Sequence, residues 1–181
     1  SLWNEEMDNA SNRVDKLAGI ITGNIDEDNR NVLALMDVVE LIKIKDKIKN
    51  KAFIFLGRIL ETIDAQYATL IYNLDREEDY DYLTRARFNE EWVSTPSLNK
   101  DIIGSAIESK VGNFLIDWDN LNDSDTISGL PNWQSVIILP LIKDEDVKGL
   151  LYISTSLKYK EFNFNDYNLS KTMANIFASI L

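Results

Sequence analysis

Cysteine and histidine are both absent from this chain of 181 residues, and the two absences remove whole classes of chemistry. Without Cys there is no disulfide framework, no thiolate nucleophile and no thiolate-ligated metal. Without His the chain lacks the usual general base near neutral pH and the commonest transition-metal ligand. A Ser-His-Asp triad, a Cys-His dyad and a His-ligated haem are excluded within it. Any catalysis would rest on carboxylates, Lys or Tyr, so the expectation is a protein that is not an enzyme and carries no cofactor or metal. Glycine and proline are also scarce, at seven and three, which leaves little room for disorder. No apolar run approaches the roughly 20 residues that would span a bilayer. Basic residues are outnumbered, 19 Lys+Arg against 30 Asp+Glu, for a net charge of −11. That balance argues against a nucleic-acid partner, which needs a concentrated basic face. The chain opens on Ser1 with no secretory signal, and the expectation is a cytoplasmic piece of a longer protein.

What is present is ordinary in amount, 45% apolar and 27% charged, enough for one domain of about 150 residues plus an appendage. The appendage is helical. Trp3, Met7, Ala10, Val14, Leu17 and Ile21 recur at alternating spacings of four and three, which is an a/d heptad seam. Thr22-Gly23-Asn24 then reads as a stop, and Asp26-Glu27-Asp28 as the capped, acidic start of a second helix. The spacing predicts that this helix runs unbroken from Asp26 to Ile63, about 57 Å. Val32 to Ile44 is apolar nearly all round, as in a helix buried on more than one side. Leu41, Ile44, Ile48, Ala52, Phe55, Ile59 and Ile63 continue the seam. Such narrow stripes need a partner, and homodimerisation through these helices is the preferred reading, with packing back on the domain as the alternative. Lys43, Lys45, Lys47, Lys49 and Lys51 form a basic belt that reads as the solvated flank of a coiled coil.

Residues 64–181 read as one α+β domain. Ala65 to Leu74 and Tyr82 to Asn89 form a predicted hairpin around a charged turn. Lys100 to Lys110 has helical spacing, Phe114 to Trp118 is a short apolar strand, and a polar loop runs from Asp119 to Asn132. Val136 to Ile142 and Lys148 to Thr155 are two strands about an acidic turn. Asp166 to Leu181 is a closing helix that ends without a cap, and the natural protein is expected to continue as helix. The pattern predicts an antiparallel sheet layered with helices.

Several segments resemble a known family. SVIILPLIKDEDVKGLLYIST, Ser135 to Thr155, is similar to the signature hairpin of GAF domains, an apolar strand ending in Leu-Pro-Leu, an acidic turn and a Gly-led strand. Phe162-Asn163-Phe164-Asn165-Asp166 resembles that family's Phe-x-x-x-Asp opening of the last helix. NFLIDWDN, Asn113 to Asn120, and DIIGSAIESK before it resemble its third strand and the preceding helix. The resemblance covers roughly residues 45–181. It implies a central antiparallel sheet of five to six strands with helices on both faces, preceded by the N-terminal helices. The implied role is a sensory or regulatory module of a bacterial signalling protein. In that role a small molecule in a pocket would be reported through the terminal helices of a dimer. The alternative is a purely structural dimerisation module with no natural ligand.

The resemblance also implies which residues face the pocket. These are Leu70 and Tyr72 on the first strand, Phe88 and Asn89 on the second, Ile102 and Ile103 on the helix, Trp133 and Tyr152 on the last two strands, with Trp118, Asp125 and Ser128 on the cover. An aromatic-lined cavity with a few polar groups suits a small planar ligand, and the same residues read equally as core. Departures from the family exclude branches of it. Thr155-Ser156 and Asp166-Tyr167 stand where the cyclic-nucleotide branch carries Asn-Lys and Asp-Glu, so a cyclic nucleotide is not expected. The missing Cys and His rule out the bilin, haem, iron–sulfur and thiol-redox branches. Outside the resemblance, Asp75, Glu77, Asp79 and Asp81 alternate like a calcium loop, but Tyr80 and Ala86 occupy the positions that need Gly and Glu. Arg85 and Arg87 point by alternation away from Phe88, toward the other face or an ion pair.

Overall fold

Helix α1 (Ile25–Lys43) begins at Asn24, whose side chain accepts from the Glu27 N–H. The Asp28 carboxylate accepts from the Thr22 N–H (2.6 Å), the Thr22 hydroxyl (2.8 Å) and the Gly23 N–H (3.2 Å). The expected stop before this helix is therefore a closed, hydrogen-bonded turn. These details come from a computed structural model that describes residues 20–77, 79–118 and 133–181. Trp3, Met7, Val14 and Leu17 of the expected seam lie outside the described residues, as do Asp125 and Ser128.

The helix predicted to run from Asp26 to Ile63 is two helices, α1 and α2 (Ile48–Ile63). Ile44 leaves the helix at φ −69°, ψ 139°, and Lys47 enters the next at φ −66°, ψ 144°. Asp46 stabilises the break, its carboxylate accepting from the Lys47 N–H (2.7 Å) and the Asn50 amide (2.8 Å). Short polar side chains compete in this way with the helical ladder. Lys51, read as part of a solvated belt, folds back and donates to the Ile42 carbonyl at 3.1 Å, satisfying a group that the end of α1 leaves open. Lys43, Lys45, Lys47 and Lys49 are exposed.

Five strands follow: β1 (Tyr67–Tyr72), β2 (Asp81–Ala86), β3 (Asn113–Asp117), β4 (Gln134–Lys143) and β5 (Asp146–Ser156), with α3 (Lys100–Ser109) between β2 and β3 and α4 (Phe164–Ala178) closing the chain. They form one sheet in the order β2-β1-β5-β4-β3, antiparallel throughout. This is the expected α+β fold. Gly149 lets the centre close, because a Cβ there would meet the Ile71 carbonyl oxygen at 2.9 Å.

Helices α2 and α4 cover one face of the sheet, with α1 packed on them, and α3 covers the other. On β4, Ile137, Leu139 and Leu141 face the three helices while Val136 and Ile138 face α3. On β5, Leu151 and Ile153 share the first core while Leu150 and Tyr152 share the second. The sequence therefore reads as continuous apolar runs, since both faces are buried. Phe55 of α2 and Phe177 of α4 stack at 4.3 Å between centroids, fastening the two helices together over the sheet. At the start of α4, Asn163 and Asp166 form a reciprocal capping box, which is what the Phe-x-x-x-Asp likeness encodes physically.

The expected dimer seam divides. Leu41 is buried inside this chain, as are Ala52, Phe55, Ile59 and Ile63. The periodicity of those positions reflects packing within this chain, against the neighbouring helices for Leu41 and the core over the sheet for the rest. Ile21, Ile44 and Ile48 are exposed. Helix α1 is not buried on several sides as expected, since it inserts Asn31, Val38 and Leu41 and leaves Val32, Leu33 and Met36 exposed.

Candidate functional site

Helix α3 is short, ten residues, and leaves part of the sheet face beside it open. Ile103 and Ala106 are its buried residues. Between α3 and β3 lies a cleft of about 680 Å³, bounded by Asn99, Ile102 and Ala106 on one side and Leu115, Asp117 and Trp118 on the other, with Ile138 of β4 at its base. Its size falls within the range of small-molecule sites.

Asn99 organises the cleft. Its side-chain oxygen caps α3, accepting from the Asp101 N–H (3.0 Å) and the Ile102 N–H (3.4 Å). Its amide nitrogen donates to Asp117 Oδ1 at 2.9 Å, and its backbone N–H donates to the Tyr152 hydroxyl at 3.2 Å. One residue thus ties α3 to the end of β3 and the middle of β5. Asp117 is only 2% exposed. Burial pushes the Tyr152 phenol up to about 12; the Asn99 N–H pulls the other way, and the Asp117 charge adds to the rise. The phenol therefore keeps its proton well above the pH at which a free tyrosine ionises. Trp118 stands half-exposed at the rim, edge-on to Trp133 with centroids 4.5 Å apart.

The residues expected to face a pocket are only partly brought together. Ile102 and Trp118 line the cleft. Ile103 and Tyr152 lie beneath it in a filled core with Ile71, Val136, Ile138 and Leu150, and Trp133 backs Trp118. Leu70 and Tyr72 are on the wrong side, packed with the three-helix core, while Ile71 between them faces α3. A one-residue offset in strand phase reverses every side chain, and an apolar strand buried on both faces offers no alternation to set the phase. Phe88 is 90% exposed and Asn89 is exposed. Strand β2 ends at Ala86, earlier than expected, and Phe88 turns the chain at φ 65°, carrying both residues off the sheet.

Asn99 and Asp117 were not anticipated as a pair. The available signal was an Asp closing a short apolar strand just before a Trp. Arg85 and Arg87 have structural roles on the helical face. Arg85 donates to the Phe53 carbonyl (3.0 Å) and the Asn89 carbonyl (2.8 Å), and its guanidinium lies 3.9 Å over the Phe53 ring. Arg87 donates to the Leu60 carbonyl (2.6 Å) and to Asp64 (2.7 Å), where a cation suits the C-terminus of α2. In the charged turn, Asp81 is engaged by Arg76 at 3.7 Å and by the Asn73 amide. Among the described residues, no three carboxylates are grouped so as to hold a metal.

No family model matches the chain, and no curated protein matches it in sequence. Solved structures match it in shape. The GAF domain of a phosphoenolpyruvate-protein phosphotransferase from Acinetobacter matches with a TM-score of 0.59 at 15% identity, covering 81% of this chain and 89% of that one. The corresponding domain from Coxiella burnetii gives 0.60 at 15% identity, covering 82% and 90%. The fold is that of a GAF domain. The nlh2 GAF domain of A. Aeolicus, in an inactive state, agrees with a TM-score of 0.56 at 12% identity, covering 82% and 93%. Within this GAF fold, the Ser135–Thr155 string is the β4–β5 hairpin, and NFLIDWDN opens with β3. Among the described residues, no helix is long and apolar enough to cross a membrane.

Proposed function

We propose that this GAF-fold chain is a non-catalytic sensory or regulatory module of a cytoplasmic signalling protein, binding a small molecule between α3 and β3. The observation that carries the reading is the position of the cleft on the sheet face opposite α1, α2 and α4. Strand β4 connects the two faces, since Ile138 lines the cleft while Ile137 and Leu139 pack beneath the helices. A ligand that shifts β4 changes the bed on which the Phe55–Phe177 stack sits. The signal is as large as the ligand's differential affinity for the two helix arrangements. Exposed Ile21, Ile44 and Ile48 would form the homodimer contact that receives it.

A second reading, a structural dimerisation module without a ligand, is favoured by the packing around Tyr152. That side chain is 1% exposed, so the space directly beside it is filled. A thermal-shift screen of amino acids, organic acids, nucleotides, amines and inorganic anions separates the two. A hit that also perturbs the Trp118 indole N–H resonance supports sensing. A blank screen refutes it and leaves the structural module.

A further inference from the structure

The cleft's chemistry narrows its occupant, and this step rests on the reading of the cleft as a ligand site. We infer that the cleft takes a cationic amine carried on a small apolar or aromatic body. Its described lining contains two carboxylates, Asp117 at the inner end of β3 and Asp101 on the first turn of α3, and no Lys or Arg. Lys100 and Lys110, the nearest basic residues along the chain, are exposed at the two ends of α3 and do not line it. Asp117 is positioned by the Asn99 amide and is almost fully buried, so its charge acts through protein more than through water and is screened little by salt.

The remaining lining fits the body of such a ligand. Ala106, Leu115 and Ile138 make the inner surface apolar, and the half-exposed Trp118, held edge-on by Trp133, presents an indole at the rim, the best aromatic partner for a cation. An anion finds no Lys or Arg in the described lining, only the neutral donors of Ser105, Ser109 and Asn113. The N-terminus of α3 would add a partial positive charge, but Asn99 already accepts from the first-turn N–H groups of Asp101 and Ile102. The net charge of −11 repels anions at longer range and draws cations.

The test uses three probes of one shape on the full chain: 2-phenylethylammonium, 2-phenylethanol and 3-phenylpropionate. Binding is followed by the Trp118 indole N–H resonance, assigned with Trp118→Phe. The expected order is ammonium, then alcohol, then carboxylate, with the ammonium favoured over the carboxylate by about tenfold, since the buried Asp117 charge attracts one and repels the other at short range. Asp117→Asn, nearly equal in size, should remove most of the ammonium preference and leave the alcohol unchanged. If that variant fails to fold, Asp101→Asn at the mouth should reduce the ammonium preference severalfold. Carboxylate or alcohol binding as tightly as the ammonium overturns the cation assignment while leaving the sensory reading intact. Silence from all three probes overturns it too, and the sensory reading then falls only if the wider metabolite screen is also blank.

Discussion

Raising the pH on wild type and Tyr152→Phe in parallel tests how the phenol is held beneath the cleft. At pH 8 the substitution removes the acceptor for the Asn99 N–H at 3.2 Å and leaves a part-buried donor unmatched, at a cost of about 1–3 kcal/mol. The pH dependence follows from the phenol's rise from 10.0 to about 12 on folding. Between those values the unfolded chain loses the proton while the folded chain keeps it, so the folded state binds more protons and its stability falls as pH rises. The contribution is intact below pH 10. By pH 11 the wild type has lost about 1.4 kcal/mol through this one group, and Tyr152→Phe, with no phenol to titrate, loses none of it.

Every other tyrosine, lysine and carboxylate is shared by the two proteins and cancels in the difference. Urea unfolding followed by far-ultraviolet circular dichroism at pH 8, 9, 10 and 11 should therefore show the stability gap shrinking by about 1.4 kcal/mol toward pH 11. A gap that stays constant across that range refutes the buried, proton-retaining phenol. A gap of zero at pH 8 refutes the hydrogen bond to Asn99.

Two further substitutions probe the rest of the architecture. Phe177→Ala removes one ring of the 4.3 Å stack with Phe55 and should cost about 3–5 kcal/mol, seen as a fall in Tm of about 6–20 °C; a fall of a degree or two would mean the stack does not fasten α4 to α2. Phe88→Gly should leave stability within about 1 kcal/mol, because relief of the φ 65° backbone offsets the lost contact with Arg87 and the entropy glycine adds to the unfolded chain. A loss of about 3 kcal/mol or more on urea unfolding would show that Phe88 is a core residue after all.

Local codes were readable in order along the chain. Asp26-Glu27-Asp28 announced α1 and the Phe-x-x-x-Asp string announced α4, although the caps themselves are Asn24 and Asn163, and the Leu-Pro-Leu and Gly149 hairpin announced β4–β5. Each of these is a short-range interaction between neighbours in sequence, so the residues themselves carry the signal. The break at Ile44–Lys47 was missed because the apolar spacing runs across it without a change of phase. What stops the helix there is a polar competition among Asp46, Asn50 and Lys51 that periodicity does not measure.

By itself the sequence determined the excluded chemistry, the α+β class and the order of the strands along the chain. The absence of Cys and His is a matter of composition, and hairpins are local. Only the tertiary structure decided which face Leu70, Ile71 and Tyr72 present, that Leu41 and Phe55 pack inward instead of facing a partner, and that Asn99, Asp117 and Tyr152 meet. Asn99 lies 18 residues from Asp117 and 53 from Tyr152 along the chain. Such meetings depend on strand register and helix placement, which are set by filling two cores on a shared sheet, and no single stretch of the sequence contains them.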